Sequence, residues 1–187
     1  MSLEHVAALG RLAGSCAADL EASVRRYAEL VRDTLAAGRT VFFAGNGGSA
    51  AHAQHIATEY VVRCRPAVRR AAAALALSTD SSLLTGAGND LGFDEVFARQ
   101  VEAHGRPGDL LVLVSTSGRS PNLLRAAEAA RRAGMRTVGL LANEGGPLAQ
   151  LVDHAVVVPT GDTALAQEIQ LAIDHQVCTV VEPDLGK

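Results

Sequence analysis

The chain contains short, uninterrupted apolar runs that end at polar residues or glycine. The clearest runs occupy residues 40–45, 109–115, 136–142 and 154–159. Runs of this length and character predict strands that are buried on both faces. A fifth run, residues 71–78, is a weaker strand prediction because most of it is alanine, which favours helix. We therefore expect about five strands.

Between these runs, apolar residues recur near the spacing of a helix. The helices expected cover residues 3 to about 38, 48 to about 62, 120–134 and about 162–182. Gly38 and Gly134 are placed to end two of them. Alternating strands and helices predict an α/β fold, in which parallel strands are joined by helical crossovers.

The predicted elements form a single domain over residues 1–187. Within it, an N-terminal helical region (residues 1–38) precedes an α/β core with a long last helix (residues 39–187). The first and last helices are extra to the α/β core. Both are long enough to pack against something beyond the sheet, such as a partner subunit.

Charge and cysteine content narrow the class of protein. The formal net charge is -3, which gives no general attraction to nucleic acid. A short basic patch is interpreted as a solvated connection rather than a nucleic-acid site; it comprises Arg63, Arg65, Arg69 and Arg70. Three scattered cysteines argue against a disulfide framework or a zinc finger; they are Cys16, Cys64 and Cys178. With no apparent signal peptide and no run long enough to span a bilayer, we expect a cytoplasmic protein without a membrane partner.

The stretch "FFAGNGGSAA" leads from a predicted strand through glycines into a helix. Such a turn brings backbone N–H groups and the positive end of a helix dipole to an anion, and Ser49 adds a hydroxyl. The alternative is a tight turn with Ser49 as a simple helix cap. The dinucleotide pattern is matched at Gly45, Gly47 and Ala50, but the acidic residue expected after the next strand is absent, as is the lysine of a P-loop. We therefore expect no nucleotide cofactor.

A second loop, "LLVLVSTSGRSPN", also ends a strand and opens a helix. Around Gly118 it carries four hydroxyl side chains, which belong to Ser115, Thr116, Ser117 and Ser120. Both loops would lie at the carboxyl edge of a parallel sheet, where ligands bind. Hydroxyl-rich turns are common. Two such loops in one domain nevertheless favour a phosphorylated small molecule as ligand.

Two pairs of polar residues have spacings that place each pair on one helix face. His55 and Glu59 are four positions apart, and Gln167 and His175 are eight apart. Together they could hold a divalent metal such as zinc, although each residue alone could equally have a surface or core role. Asn89 and Asp90 follow a predicted turn, where they could bind the hydroxyls of a polyol or simply cap the turn.

Three stretches together resemble the sugar isomerase (SIS) domain family, and more narrowly the phosphoheptose isomerases. They are "GNGGSAAHAQHIATEY", "LSTDSSLLTGAGNDLGFDEVFARQVEAHGRPGDLLVLVSTSGRSPN" and "AQEIQLAIDHQVC". The resemblance covers nearly all of the chain from residue 40 onward. It implies a three-layer α/β/α sandwich of flavodoxin-like type with a parallel five-stranded sheet. It also implies a homotetramer held by a central helical bundle, with active sites at subunit interfaces.

The resemblance implies conversion of D-sedoheptulose 7-phosphate to D-glycero-D-manno-heptose 7-phosphate. Glu59 and His175 match the family's acid/base pair. The residues matching its zinc site are His55, Glu59, Gln167 and His175. The residues expected to contact the sugar phosphate, besides Glu59 and Gln167, are Asn46, Gly47, Gly48, Ser49, Asn89, Asp90, Ser115, Thr116, Ser117 and Ser120.

Two positions depart from the pattern of the family. His52 stands where relatives usually have Asp, a residue assigned a part in ring opening or substrate handling. Leu165 stands where they commonly carry Arg. Three alternatives therefore stay open: an isomerase of another sugar phosphate, a sugar-phosphate sensor, and a non-catalytic SIS protein that binds a partner, as the replication-initiator-associating relatives do. The presence of both Glu59 and His175 favours the enzyme.

Overall fold

Five parallel strands form the centre of the protein in a computed structural model that describes residues 2–65 and 69–186. The strands are β1 (Val41–Gly45), β2 (Ala74–Ala76), β3 (Leu110–Ser115), β4 (Arg136–Ala142) and β5 (His154–Val158). Their order across the sheet is β2-β1-β3-β4-β5, and every neighbouring pair is parallel. The five-stranded parallel sheet expected from the sequence is confirmed.

Within the residues that the structure describes, seven α-helices connect and flank the strands. They are α1 (Glu4–Ala36), α2 (Gly48–Val61), α3 (Ser81–Asp90), α4 (Ala98–His104), α5 (Pro121–Arg132), α6 (Leu148–Leu151) and α7 (Thr163–Val181). Two 3₁₀ turns, Phe93–Glu95 and Glu182–Leu185, follow α3 and α7. The four helices predicted from the pattern are α1, α2, α5 and α7, and their ends agree within a few residues.

The main differences from prediction lie between β2 and β3; elsewhere, the four-residue helix α6 was also not expected. The expected strand 71–78 forms only as the three residues of β2, at the edge of the sheet, where it pairs with β1 alone. Helices α3 and α4 were not expected. Helix α3 contains Gly86 and Gly88 and has no buried residue, so it lacks the apolar stripe that marks a helix in sequence. Helix α4 has only seven residues.

The helices pack in two layers, one on each face of the sheet. Helices α1, α2 and α7 share one apolar core with the sheet, around Tyr27, Phe43 and Ile56. Helices α4, α5 and α6 share the other, around Phe97 and Leu123. The three-layer α/β/α arrangement is therefore confirmed.

The sheet places the two hydroxyl- and glycine-rich loops side by side. Strands β1 and β3 are neighbours, with Gly45 opposite Val114 in the register. Because parallel strands end at the same edge, the loops that follow them begin next to each other, and each leads into a helix.

Two further features are the hydropathy of the helices and the state of the cysteines. No helix within residues 2–65 and 69–186 is long and apolar enough to cross a membrane. The cysteines Cys16, Cys64 and Cys178 are free thiols.

Candidate active site

The first loop, after β1, reaches α2 through a glycine in a left-handed conformation. Gly47 has φ 54° and is the N-cap of α2, which has no side-chain cap. Ser49 is the second residue of the helix and is buried, and its backbone N–H donates to the carbonyl of Asn46 at 3.0 Å. The interpretation of Ser49 as a simple cap is therefore wrong. Its hydroxyl does not serve the helix end, so it remains available to a ligand.

The second loop, after β3, is shaped by its own hydroxyl groups. The Oγ of Ser115 accepts a hydrogen bond from the N–H of Gly118 at 2.9 Å, and Ser117 Oγ accepts from the N–H of Arg119 at 3.3 Å. Each hydroxyl still has its own proton to donate. Ser120 is the N-cap of α5 without making a side-chain cap bond. Backbone and hydroxyl donors thus collect at one helix start, an arrangement suited to an anion.

A pair of amides fastens the two loops together. Asn46 donates through Nδ2 to Oδ1 of Asn122 at 2.9 Å, and Asn122 donates back to Asn46 at 2.9 Å. Asn122 lies in the first turn of α5 and is 1% exposed. Sequence reasoning missed Asn122. The one available signal was a polar side chain in the first helical turn directly after the hydroxyl-rich loop.

Helices α2 and α7 bring three potential metal ligands together. The Nε2 atoms of His55 and His175 are 3.0 Å apart, and His55 Nε2 is 3.5 Å from Oε1 of Glu59. One ligand atom from each of the three residues lies within 4.8 Å of the other two. Ligands about 2.0 Å from one zinc ion stand roughly 3.3 Å apart in a tetrahedron. Two imidazoles and a carboxylate at these separations therefore fit a divalent metal.

Gln167, the fourth expected ligand, lies two turns before His175 on the same helix. Its amide packs over Gly48 so closely that a Cβ at Gly48 would lie 2.7 Å from Gln167 Nε2. Glycine at position 48 therefore allows α7 to cover the start of α2. Gln167 therefore lies beside the first loop.

Asn89 and Asp90 do not follow a turn, and this part of the prediction is wrong. They are the last two residues of α3, both exposed, and Asn89 Nδ2 donates to Oδ1 of Asp90 at 2.7 Å. Within the described residues, Asp90 does not belong to the group formed by His55, Glu59 and His175. The two glycines of α3 suggested a turn, but the capping carboxylate of Asp80 starts a helix there, accepting from the N–H of Leu83 at 2.9 Å.

His52 belongs to a buried hydrogen-bonded network next to the group formed by His55, Glu59 and His175. Its Nε2 is 2.7 Å from Oδ2 of Asp174, and the hydroxyl of Tyr27 donates to Oδ1 of the same carboxylate at 2.6 Å. Burial and, after it, the charge of Asp174 hold the pKa of Tyr27 well above its usual value. Sequence reasoning noticed His52 but not its partners, because Asp174 and Tyr27 are distant in the chain.

The expected solvated basic patch is not uniformly solvated, which corrects another prediction. The guanidinium of Arg69 is 3% exposed and forms an ion pair with Glu182 at 2.8 Å. It also donates to the backbone carbonyls of Glu59 and Tyr60, at 2.7 and 2.9 Å. Arg69 thus caps the last turn of α2, while Arg65 and Arg70 are exposed.

Comparison with known proteins agrees with this geometry. The family model described as the SIS domain matches residues 4–142. The chain is 50% identical over 165 residues to a phosphoheptose isomerase of Chlorobaculum parvum, covering 87% of this chain and 79% of that protein. It is 46% identical over 186 residues to a phosphoheptose isomerase of Chlorobaculum tepidum, covering 98% and 89%.

A solved structure extends the similarity to the whole fold. The phosphoheptose isomerase of Neisseria gonorrhoeae superposes with a TM-score of 0.90 at 38% identity, covering 96% of each chain. The chain therefore belongs to the SIS domain family and, within it, to the phosphoheptose isomerases.

Proposed function

We propose that the protein interconverts D-sedoheptulose 7-phosphate and D-glycero-D-manno-heptose 7-phosphate. The observation that carries the proposal is that His55 and Glu59 of α2 converge with His175 of the neighbouring helix α7. Helix α2 also starts at the first of the two loops expected to bind phosphate. A phosphate-binding end and a proton-transferring end are what an aldose–ketose isomerase of a sugar phosphate requires.

The phosphate is bound by the two loops at the carboxyl edge of β1 and β3. Backbone N–H groups at the start of α2 and α5 supply donors without a lysine. The hydroxyl donors belong to Ser49, Ser115, Thr116, Ser117 and Ser120. The first loop contributes Asn46, Gly47 and Gly48. Binding at this end fixes the substrate remote from its reacting carbons, so binding energy is used for orientation.

The reacting carbons lie toward Glu59. Ser49 and Glu59 are ten residues apart on α2, about 15 Å of helix rise, and side chains on a helix lean back toward its N-terminus. The carboxylate of Glu59 takes a proton from the carbon next to the carbonyl, which gives an enediol. The imidazole of His175 transfers the proton at the other end of the reacting pair. Gln167, Asn89 and Asp90 bind hydroxyl groups of the open-chain sugar.

The residues that would hold a divalent metal, zinc, are His55, Glu59, Gln167 and His175. When bound, it supplies positive charge that stabilises a developing oxyanion. The same charge lowers the basicity of a carboxylate that binds it. The role of Glu59 as a base therefore depends on how far its carboxylate is shared between the metal and the substrate.

The active unit is a homotetramer with its sites at subunit interfaces, and it is cytoplasmic. The exposure of His55, whose side chain is 46% exposed, supports an interface position. An exposed apolar groove between α1 and α7 supports assembly through these helices.

The direct test is incubation of the metal-loaded protein with sedoheptulose 7-phosphate, followed by NMR. We expect the aldose to form and, in D2O, deuterium to enter at the carbon next to the carbonyl. Binding without turnover would point to another substrate or to a sensor. A protein that neither binds nor converts the sugar phosphate would contradict the proposal and favour a partner-binding role.

Replacing Glu59 by Gln tests the assigned base. Because the amide cannot accept the proton, we expect kcat to fall by about 10²- to 10⁴-fold. Binding of inorganic phosphate, followed by ³¹P NMR, should change little. Glu168→Gln is the matched control, since that carboxylate is exposed on α7 and pairs with His5. An active Glu59→Gln protein would remove Glu59 from the mechanism.

A further inference from the structure

Side chains from α1 and α2 meet at one buried carboxylate on α7. Asp174 of α7 is fully buried and accepts two hydrogen bonds, from Tyr27 of α1 at 2.6 Å and from His52 of α2 at 2.7 Å. Tyr27 is also fully buried, and the side chain of His52 is 5% exposed. We call Tyr27, His52 and Asp174 the Asp174 network.

This network is not a packing necessity of the core. Burying a carboxylate is unfavourable unless it is paired and hydrogen-bonded, and an apolar residue of similar size often serves stability as well. The network also leaves the Nδ1 atom of His52 buried without a partner among the described residues, which is itself unfavourable. Hydrogen bonds are directional, so they fix the rotation of each helix about its own axis, which apolar contacts do not.

Contacts between α2 and α7, and between the segments that directly follow them, occur in the same order along both helices. Gly48 meets Gln167, His52 meets Asp174, His55 meets His175, and the backbone of Cys64 meets Glu182. The two helices therefore run side by side in the same direction. The Asp174 network lies on the buried side of this contact, and the pair His55–His175 lies on its more exposed side.

A small rotation of α7 would separate the two imidazoles. Asp174 and His175 are successive residues, so the direction of one side chain fixes that of the other at about 100° around the helix. On α2, His52 is about one turn before His55, so the direction of one side chain also fixes that of the other. Tyr27 ties the same carboxylate to α1, so the position of α7 is defined from two sides.

We propose that Asp174 is a positioning residue for the isomerase site. By accepting hydrogen bonds from His52 and Tyr27, it holds α7 in the rotation that brings His175 to His55 and Glu59. The inference rests on the proposed function, because it assigns the network a role in assembling the metal-binding end of that site.

The test is a titration of the full-length, metal-stripped protein with Co²⁺, whose absorption reports the coordination geometry. His52→Leu removes the donor to Asp174, and Tyr27→Phe removes the other donor without changing the packing volume appreciably. We expect each to weaken Co²⁺ binding by about tenfold, a typical effect for a residue that orients metal ligands. His52→Gln keeps an N–H near the position of Nε2 and should bind Co²⁺ nearly as the unmodified protein does.

Kinetics supply a second readout. The KM for the sugar phosphate should change less than kcat in His52→Leu, because the hydrogen bond that is lost is made to Asp174 of α7 and not to a residue of the phosphate loops, while kcat should fall with the loss of metal. Leu123→Ala is the stability control. It truncates a buried side chain on the opposite face of the sheet and should lower the melting temperature without weakening Co²⁺ binding.

The outcomes separate this inference from the proposed function. Unchanged Co²⁺ binding in both His52→Leu and Tyr27→Phe would overturn the inference and leave the proposed function standing. Equal weakening in Leu123→Ala would also overturn it, because the effect would then follow global stability. A protein in which even His55→Ala leaves Co²⁺ binding unchanged has no metal site at His55, which would contradict the proposed function itself.

Discussion

Asn46 and Asn122 make two reciprocal hydrogen bonds across the gap between the phosphate-type loops. Each amide has one donor and one acceptor engaged by the other, so neither can rotate without breaking both bonds. The backbone donors of the two helix starts are thereby held at a fixed separation. At the scale of the residue, the proposed anion site would therefore depend on a side chain that does not itself have to touch the anion.

Replacing Asn122 by Ala should therefore weaken binding of the sugar phosphate more than it slows the chemistry. We expect KM to rise by roughly tenfold, since the lost hydrogen bonds and the freed Asn46 are together worth about 1–2 kcal/mol. The value of kcat should change much less. Steady-state kinetics and a ³¹P NMR titration with inorganic phosphate would measure the two effects.

Thr137→Val is the matched control for this prediction. Thr137 is also buried and exchanges hydrogen bonds with Asp153 at 2.9 Å, but it lies at the amino end of β4, away from the loops. It should lower stability and leave KM unchanged. If KM rises equally in both variants, the loops are not held by the amide pair.

At the scale of the element, helix α2 carries residues of both ends of the proposed site and is fixed at both of its own ends. Gln167 covers its first residue, and Arg69 caps its last turn through the carbonyls of Glu59 and Tyr60. Arg69 is held in turn by Glu182, whose carboxylate also accepts from the N–H groups of Cys64 and Arg65. The end of α2 that bears Glu59 is therefore anchored to the turn after α7.

Replacing Glu182 by Gln should destabilise the protein substantially. The guanidinium of Arg69 would stay buried without its counter-charge, a loss of about 3 kcal/mol in the free energy of unfolding. Asp184→Asn is the control in the same 3₁₀ turn, because its ion pair with Arg32 is long, at 3.6 Å, and exposed. That change should cost less than about 1 kcal/mol. Urea unfolding at neutral pH would compare them.

The effect of Glu182 should depend on pH in a defined direction. Burial raises its pKa, but hydrogen bonds from Arg69, Cys64 and Arg65 outweigh burial, so the pKa is lowered in the folded protein. The stabilisation is therefore complete above the unfolded value of about 4.3 and is lost as the pH falls through the folded pKa. The difference in unfolding free energy between the unmodified protein and Glu182→Gln should be largest at neutral pH and shrink in acid. A difference that grows on acidification would show that Glu182 is not ionised in its ion pair.

Elements with a strong apolar pattern were predictable, and those without one were not. Strand β3 is buried along its whole length and helix α5 has a polar and an apolar face, so both could be read from the sequence. Helix α3 has no buried residue and carries Gly86 and Gly88, which is why Asn89 and Asp90 were misplaced. In the site, the pair His55–Glu59 follows from spacing on one helix. The contacts of His52 with Asp174, and of Asn46 with Asn122, arise only from the tertiary fold.

At the scale of the whole molecule, the helical layer of α1, α2 and α7 leaves an apolar groove open. The groove has a volume of about 790 Å³ and runs between α1 and α7. Its lining includes Leu20 and Val24 from α1 and Ala172, Val177 and Val180 from α7. Charged residues such as Glu21 and Arg25 are also part of it. An apolar groove with charged residues among its lining is the kind of surface through which copies of a chain associate.

The proposed tetramer predicts that a charge in this groove breaks the assembly. Ala172 is exposed on the groove side of α7, so Ala172→Arg adds a charged side chain there without disturbing the core of one chain. We expect the mass measured by size-exclusion chromatography with light scattering to fall from four times the 19.4 kDa of one chain to a smaller species. Activity should fall with it, because the proposed sites lie between subunits.

Ala103→Arg makes the same change at an exposed position of α4, on the opposite face of the sheet, and should leave the mass unchanged. A tetramer that survives Ala172→Arg would mean that the groove is not an interface, and a dissociated protein with full activity would mean that each chain carries a complete site.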